Sequence, residues 1–310
     1  MLITPQKTTR VVEAVTGRAL AVNNFRGRHM FIDRSRGSDR LLMVLAGYKP
    51  HLWDITLARL ARHVPADVDV CVVAPAVRPP ALLDVAERHG WSLLSTRANY
   101  LALAQNLAIR AHRAARWVAK VDEDMFVGPG FYDALLDVYR HVQAEGRWWP
   151  GFVAPIINVN GYTYVNLLEE LGLEQKYRER FGELIRASGQ IPATNDPAAA
   201  RWLWEHSLPF DDLVARFARR PLGYSTVPHK FNIGALLFAR EFWERFGGFL
   251  VRPPAGALGM DETQICRRCV DLSRVMIVAD HVFVGHFAFA AQDAAMREAL
   301  PQLRPALLAA

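Results

Sequence analysis

A chain of 310 residues with 51% apolar side chains can form one large α/β domain or two smaller ones, which excludes a mainly disordered protein. Three cysteines are too few for a disulfide framework, and a net charge of +6 suits an anionic small molecule, a phospholipid surface or nucleic acid. No apolar run approaches the roughly 18 residues of a membrane-spanning helix, and the N-terminus lacks the apolar core of a signal peptide. We therefore expect a cytoplasmic protein with at most peripheral contact to the cell membrane.

Segments with strand and helix patterns alternate along the first half of the chain. Strands are predicted at 41–48, 68–77, 91–96 and from 117 onward, and helices at 52–64, 80–90, 100–115 and from 131 onward. Later strands are predicted at 151–164, 230–239 and 274–289. This alternation is typical of βαβ units, which build a mostly parallel sheet and gather ligands at the carboxyl ends of its strands.

The same patterns predict three regions. Residues 1–40 form a basic N-terminal extension, 41–290 form the main domain, and 291–310 form an amphipathic tail that prolines interrupt. Within the main domain, the stretch at about 165–222 breaks the alternation and is predicted to be a helical insert.

Three consecutive acids, Asp122, Glu123 and Asp124, follow the strand that begins at Trp117, and we call them the acidic triplet. Unpaired buried carboxylates are costly, so the triplet needs solvent, basic partners or a metal ion. In an extended chain Asp122 and Asp124 share one face. Two carboxylates can supply part of the ligands of a Mg²⁺ or Mn²⁺ ion. Phosphate oxygens can fill the coordination positions that remain open. A solvated loop is the alternative interpretation.

The strand, the acidic triplet and the Gly/Pro turn into a helix resemble the metal-binding motif of the GT-A glycosyltransferases, which use nucleotide-sugar donors. Asn106 stands where many of these enzymes carry an Asn in the preceding helix. The segment NIGALLFAREFWERFGGF, at 232–249, resembles the one that builds their sugar pocket. The resemblance covers roughly residues 41–131 and 230–290.

Two further segments extend this resemblance. GMDETQICRR, at 259–268, is similar to the acidic pair that opens a helix and supplies the catalytic base. It implies Glu262 as the base, with Asp261 as the alternative. Asp261 also suits a helix N-cap, in a capping box completed by Gln264. Both acids have a purely structural interpretation as helix-start residues.

The last segment, VFVGHFAF, places His286 where several members of the family have a third metal ligand. A lone histidine in an apolar strand is often a packing residue, and His281 competes for the role.

The resemblance implies a GT-A, Rossmann-like fold with a mostly parallel central sheet flanked by helices. It implies a divalent metal, Mn²⁺ or Mg²⁺, and a nucleotide-sugar donor. The implied metal ligands are Asp122, Asp124 and His286. The implied donor-binding residues are Asp122, Asp124, Asn106, Asn232 and Gly234.

The expected reaction is transfer of a sugar to a hydroxyl of a glycan or lipid-linked acceptor, in bacterial surface polysaccharide biosynthesis. Inversion is expected because an acidic pair stands where a base is needed. UDP is the favoured donor nucleotide. However, the second strand ends without the acid that reads uracil in many inverting members, which leaves the base open. Arg78 and Thr96 are candidates for that contact.

Two other functions remain open. A nucleotidyltransferase also places acids and Mg²⁺ at strand ends, but it needs a phosphate loop, for which the first strand offers only Gly47 and Lys49. A non-catalytic module that binds a nucleotide sugar or polysaccharide would keep the site without turnover. Nucleic-acid binding is not expected, because the basic residues are scattered and no recognition motif accompanies them.

Several residues keep two interpretations. Asn158 and Asn160 face an acceptor or form Asx turns. Tryptophans can stack on sugar rings, although packing in the core is the commoner use, and the pairs concerned are Trp148 with Trp149 and Trp202 with Trp204. Cys266 and Cys269 are spaced as in a zinc or redox motif, but one buried face of a helix explains them better.

Overall fold

The computed structural model describes residues 28–251 and 259–308. Its strands are β1 (His29–Ile32), β2 (Arg40–Leu45), β3 (Asp69–Pro75), β4 (Ser92–Thr96), β5 (Trp117–Asp122), β6 (Met125–Phe126), β7 (Pro150–Ile157), β8 (Tyr224–Val227), β9 (Ala235–Ala239) and β10 (Val275–His286). Its helices are α1 (Trp53–His63), α2 (Pro80–Arg88), α3 (Leu101–Ala111), α4 (Phe131–Glu145), α5 (Tyr164–Leu171), α6 (Glu174–Phe181), α7 (Pro192–Asn195), α8 (Pro197–Glu205), α9 (Phe210–Ala218), α10 (Arg240–Arg245), α11 (Met260–Asp271) and α12 (Ala290–Leu308).

The ten strands form one sheet in the order β1-β4-β3-β2-β5-β9-β7-β10-β6, and β8 pairs with β10. The pairs β2–β3, β3–β4 and β7–β10 are parallel, whereas β1–β4, β7–β9, β6–β10 and β8–β10 are antiparallel. The predicted α/β class, with a central sheet that is mostly parallel in its core and flanked by helices, is confirmed.

Contacts within the chain divide it into two compact units. Among the described residues, the first unit comprises 28–48, 67–120, 238–251 and 259–268. Its β3 is buried along its whole length, because Val70 to Ala74 form an unbroken apolar run with both faces covered. The helix α3 packs on β3 and β4.

Among the described residues, the second unit comprises 49–66, 121–237 and 269–308. Here α4 packs on β7, α9 packs on β10, and α12 packs on α7 and α8. Gly285 in β10 leaves room for the indole of Trp204, because a Cβ there would lie 2.6 Å from the ring. That ring also contacts Phe126 of β6 and donates from Nε1 to the carbonyls of His286 and Phe287. This aromatic packing fixes the end of β10 beside the acidic triplet.

The structure differs from the sequence prediction in several elements. The stretch assigned to a basic extension contains β1, while residues 1–27 lie outside the described residues. No strand was predicted at β8. The C-terminal helix α12 continues through Pro301 and Pro305 instead of stopping at them. None of the helices in the described ranges is long and apolar enough to cross a membrane.

Candidate functional site

Asp124 lies at the centre of a group of charged side chains in the second unit. The strand β5 ends at Asp122, and the chain turns through Glu123 and Asp124 into β6. Met125 of β6 pairs with His286 of β10, and the amide of Phe287 donates to the carbonyl of Asp124 at 3.0 Å. This short antiparallel pairing brings the side chains of Asp124 and His286 together.

The imidazole of His286 is held from one side and faces Asp124 with the other. Its Nδ1 lies 2.8 Å from the carbonyl oxygen of Val159, and its Nε2 lies 3.2 Å from Oδ2 of Asp124. Because a carbonyl can only accept, Nδ1 donates to Val159, and Nε2 is the ring atom that faces the carboxylate. A proton or another cation can join Nε2 to Oδ2 of Asp124 across this distance.

Lys49 supplies a positive charge to the same carboxylate. Its ammonium donates to Oδ2 of Asp124 and, at 3.1 Å, to the carbonyl of Ala288. It also lies 3.9 Å from Oδ1 of Asp293. Burial lowers the pKa of Lys49, but Asp124, Asp293 and Asp122 together outweigh burial and raise it. Lys49 is therefore charged at neutral pH.

Asp124 is charged as well, although it is only 5% exposed. Burial alone would raise the pKa of its carboxyl, but His286 and Lys49 outweigh that effect and hold the pKa well below its usual value. The sequence left three ways to compensate the charge of the acidic triplet, namely solvent, basic partners or a metal ion. Asp124 has basic partners.

The other two acids of the triplet have different surroundings. Glu123 is buried and accepts a hydrogen bond from Nε1 of Trp53 at 2.5 Å. Asp122 is partly exposed, and its amide donates to the carbonyl of Gly234 at 2.8 Å. The prediction that Asp122 and Asp124 share one face assumed an extended chain, whereas the chain turns at Glu123 and Asp124. The carboxylates of Asp122 and Asp124 nevertheless both attract the ammonium of Lys49, while Glu123 bonds Trp53.

A divalent metal ion could be held here by two side chains, Asp124 and His286. Within 28–251 and 259–308, no three His, Cys, Asp or Glu side chains are grouped to hold a metal, so the predicted set of Asp122, Asp124 and His286 is not assembled. The pair Asp124 and His286 does fit. Adjacent ligand atoms on an octahedral ion with bonds of about 2.1 Å stand about 3.0 Å apart, close to the 3.2 Å between Oδ2 and Nε2.

Asn232 and Gly234, predicted near the donor sugar, lie in the second unit beside the acidic triplet. A Cβ on Gly234 would lie 2.4 Å from Sδ of Met125, so the glycine is needed for close approach. The backbone carbonyl of Asn232 accepts from Nδ2 of Asn160 at 2.7 Å. The side-chain Oδ1 of Asn232 is buried and has no hydrogen-bond partner among the described residues. It is a buried acceptor that a ligand hydroxyl could satisfy.

Asn158 and Asn160 are used by the fold. Oδ1 of Asn160 accepts from the amides of Tyr162 and Thr163, at 2.8 and 2.9 Å, which is Asx-turn chemistry. Oδ1 of Asn158 accepts from the amide of His286 at 2.8 Å. Asn158 thus positions the histidine, and the predicted acceptor contacts are replaced by these structural ones.

In the first unit, Asp261 lies in a buried polar group near the start of α11. Its Oδ2 is 3.3 Å from Nζ of Lys120 and 3.0 Å from Nε2 of Gln105. Burial raises the pKa of Asp261, but Lys120 and Gln105 outweigh it and lower the pKa. The predicted capping box is wrong, because Gln264 instead bonds the amide and carbonyl of Leu250, at 2.5 and 2.8 Å. The negative charge of Asp261 is thus balanced by Lys120, and the residue has a structural role in this polar group.

Glu262, the other predicted base, is the next residue of α11 and is 8% exposed. Its Oε2 lies near Gly259, whose Cβ, if present, would be 3.7 Å away. Its catalytic role stays a prediction.

Asn106 is also a structural residue. It is buried in α3, where its Nδ2 donates to the carbonyl of Phe249 at 2.7 Å. Its Oδ1 accepts from the amide of Phe249 at 2.9 Å and from Nε1 of Trp243 at 3.1 Å. The predicted donor contact is therefore corrected, since this amide holds the segment after α10 in place.

The remaining candidates, His281, Thr96 and Arg78, each have their own partners in the fold. His281 contacts Asp280 and the Gly223 region, not the acidic triplet. The hydroxyl of Thr96 donates to the carbonyl of Ala98 at 2.8 Å, and Arg78 donates to Ser95 at 3.3 Å.

Among the tryptophans, Trp202 and Trp204 are core residues, whereas Trp148 and Trp149 are exposed. Cys266 and Cys269 are buried thiols of α11, as expected for one face of a helix.

Two residues of the charged group were not predicted as site residues, Lys49 and Asp293. Lys49 was noted only as a weak element of a phosphate loop. Its position just after the first strand of the alternating pattern was the one available signal, because polar groups after such strands gather at the ligand-binding edge. Nothing in the sequence around Asp293 indicated a role.

No family model matches the chain, and no curated protein matches it. Among solved structures, a crystal structure of GalNAc-T7 with UDP, GalNAc and Mn²⁺ superposes with a TM-score of 0.47 at 10% identity, over 94% of this chain and 54% of the other. The mannosyltransferase PcManGT from Pyrobaculum calidifontis, in complex with GDP-Man and Mn²⁺, superposes with a TM-score of 0.47 at 16% identity, over 96% and 76%. This chain spans about half the length of the first of these structures.

Proposed function

We propose that the protein is a GT-A-type glycosyltransferase that binds a nucleotide-sugar donor beside Asp124 and transfers the sugar to a hydroxyl of a glycan or lipid-linked acceptor. The observation that carries the proposal is the arrangement of Asp124, His286 and Lys49 at the turn after β5. A buried carboxylate there faces an imidazole nitrogen and an ammonium group. Such a site offers both cation ligands and a phosphate-binding cation.

Asp124 and His286 would hold the divalent ion, Mn²⁺ or Mg²⁺, with Asp122 nearby. When bound, this ion supplies positive charge to the diphosphate that leaves with the nucleotide. The protein's own residues orient the donor around it. Asn158 holds the backbone amide of His286 and the carbonyl of Val159 holds its ring, and Oδ1 of Asn232 can accept from a sugar hydroxyl.

Removal of the acceptor hydroxyl's proton needs a base, and we assign it to Glu262. Asp261 is unsuitable because Lys120 and Gln105 stabilise its charged form and occupy its oxygen. With a carboxylate base, transfer proceeds with inversion at the anomeric carbon. UDP is the proposed donor nucleotide, and bacterial surface polysaccharide biosynthesis is the proposed setting.

The experiment screens UDP-, GDP-, CMP-, dTDP- and ADP-sugars for hydrolysis, with and without Mn²⁺. Hydrolysis is measured as the release of the free nucleotide. We expect one donor class to be cleaved by the wild type and not by Asp124→Asn. Asp212→Asn, at an exposed position of α9, is the matched control and should keep full activity. Binding of a nucleotide sugar without any release would instead support the non-catalytic module. Release of pyrophosphate from a nucleoside triphosphate would support a nucleotidyltransferase.

A further inference from the structure

The ammonium of Lys49 is surrounded by oxygen atoms, as a bound metal ion would be. It donates to Oδ2 of Asp124 and to the carbonyl of Ala288, and Asp293 completes the negative surroundings. Asp122 adds a further attraction. Asp293 also pairs with Arg297, at 2.7 Å. The main counter-charge of Lys49 is therefore Asp124.

Lys49 and a divalent ion cannot use Asp124 in the same way at the same time. The atom that bonds Lys49, Oδ2 of Asp124, is also the one that lies 3.2 Å from Nε2 of His286. An ion held by these two ligand atoms would stand next to the ammonium, and two cations at contact distance repel strongly in a buried site. The ammonium must therefore leave Asp124 when the ion binds.

The charges of the site indicate where the ammonium goes. Before binding, the charges of Asp124 and Lys49 cancel. After an ion of charge +2 and a donor diphosphate of charge −2 bind, Asp124 leaves a net charge of −1, which one ammonium restores to zero. Buried charge that is not compensated is costly. The lysine stem is flexible and its side chain is 23% exposed, so it has room to move.

We propose that Lys49 is a phosphate-binding residue that changes partner, neutralising Asp124 in the free protein and donating to the diphosphate of the donor once the ion is bound. This inference rests on the proposed function. It makes Lys49 both a competitor of the ion in the absence of donor and a stabiliser of the ion and donor together.

The first test measures Mn²⁺ binding by electron paramagnetic resonance without any nucleotide. Lys49→Met keeps the length of the stem and removes the charge, so we expect it to bind Mn²⁺ at least tenfold more tightly than the wild type. Asp124→Asn should abolish binding in both backgrounds. Equal affinity in the wild type and Lys49→Met, or no Mn²⁺ binding by either, overturns the proposal. In that last case Lys49 would be a permanent substitute for the ion.

The second test uses the wild type, so it does not depend on the folding of a variant. Acetylation of lysines by acetic anhydride is measured by mass spectrometry, with the exposed Lys176 as internal reference. Mn²⁺ alone should raise the acetylation of Lys49 at least threefold relative to Lys176. Mn²⁺ with inorganic pyrophosphate should reduce it again. Acetylation that Mn²⁺ leaves unchanged contradicts a change of partner.

These outcomes are separable from those of the proposed function. If a nucleotide sugar is cleaved but Mn²⁺ affinity and Lys49 acetylation do not respond, the glycosyltransferase assignment stands and the exchange fails. If Mn²⁺ displaces Lys49 but no nucleotide sugar binds or is cleaved, the ion competition stands and the proposed function fails.

Discussion

The carboxylate of Asp124 and the imidazole of His286 face each other at 3.2 Å from two different strand ends. The backbone pairing of β6 with β10 and the bonds from His286 to Asn158 and Val159 set this distance. The pair therefore does not depend on Lys49 for its geometry. A ligand pair held by the fold before the ion arrives binds it at a lower entropic cost.

The first prediction concerns the choice between the two histidines of β10. His286→Gln should weaken Mn²⁺-dependent nucleotide binding at least tenfold, because it removes one of two ligand atoms. His281→Gln on the same strand is the matched control and should leave binding within twofold of the wild type. Isothermal titration with UDP and GDP in the presence of Mn²⁺ measures both. Equal losses in the two variants would rule out a specific role for His286.

The second prediction separates the two acids at the start of α11. Glu262→Gln should lower turnover by about 10²- to 10⁴-fold, the usual contribution of a general base, while nucleotide binding and thermal stability stay close to the wild type. Glu87→Gln, at an exposed position of α2, is the control. Steady-state kinetics and a thermal melt of each variant provide the comparison. Full turnover in Glu262→Gln would exclude this residue as the base.

The third prediction is a pH dependence of stability at Asp261. The pKa of Asp261 is lower in the folded than in the unfolded state. Its pair with Lys120 therefore stabilises the fold above the unfolded value of about 3.9 and loses this effect as the pH falls through the folded value. Asp261→Asn should reduce the free energy of unfolding at pH 7 by about 3 kcal/mol.

Urea unfolding of the wild type and Asp261→Asn at pH 7, 5, 4 and 3 checks this prediction. The difference between the two proteins should be constant from pH 7 to pH 5 and should shrink below about pH 4. A difference that is the same at pH 7 and pH 3 would mean that the ion pair of Asp261 with Lys120 is not its cause.

The fourth prediction concerns Asn106. Replacement by Ala leaves the amide and carbonyl of Phe249 and the indole of Trp243 without their partner. Because unsatisfied buried groups cost about 1–3 kcal/mol each and relax in part, we expect Asn106→Ala to lower stability by about 3 kcal/mol. Asn195→Ala, at an exposed position, is the control. Chemical unfolding that shows no loss, together with weaker nucleotide binding, would restore the donor-contact interpretation.

The fifth prediction tests the close approach of Gly234 to Met125. A Cβ at Gly234 would lie 2.4 Å from Sδ of Met125. Gly234→Ala should therefore destabilise the fold by about 1–3 kcal/mol, as other overpacked sites do. In the double variant with Met125→Ala the clash is absent. The loss of stability in the double variant should therefore be smaller than the sum of the losses in the two single variants. Strictly additive costs in a double-mutant cycle would show that the two positions do not contact each other.

The parts of the fold that the sequence predicted are those with strong local patterns. The strands β2, β3 and β4 are short apolar runs, and α1 to α4 have apolar residues at helical spacing with clear breakers between them. The acidic triplet could be located because three acids after an apolar strand are unusual. Chain order alone then placed these residues at the end of a central strand.

The errors in the roles of single side chains share one physical cause, which is that partners outside the local segment leave no local signal. Asn106 bonds Phe249, Gln264 bonds Leu250 at a separation of 14 residues, and Lys49 bonds Asp124 from 75 residues away. In each case the residue type was compatible with several partners. Only the tertiary fold decides which of them is near enough.

The most direct measurement is a thermal-shift screen of UDP, GDP, CDP, TDP, ADP and CMP, each with and without Mn²⁺, on the wild type and Asp124→Asn. A ligand that binds only the folded state raises the apparent free energy of unfolding by RT ln(1 + [L]/Kd), where [L] is the free ligand concentration. We predict a shift for one nucleotide that requires Mn²⁺ and is lost in Asp124→Asn, which would identify the donor nucleotide. If no nucleotide shifts the wild type in either condition, the donor site at Asp124 is contradicted.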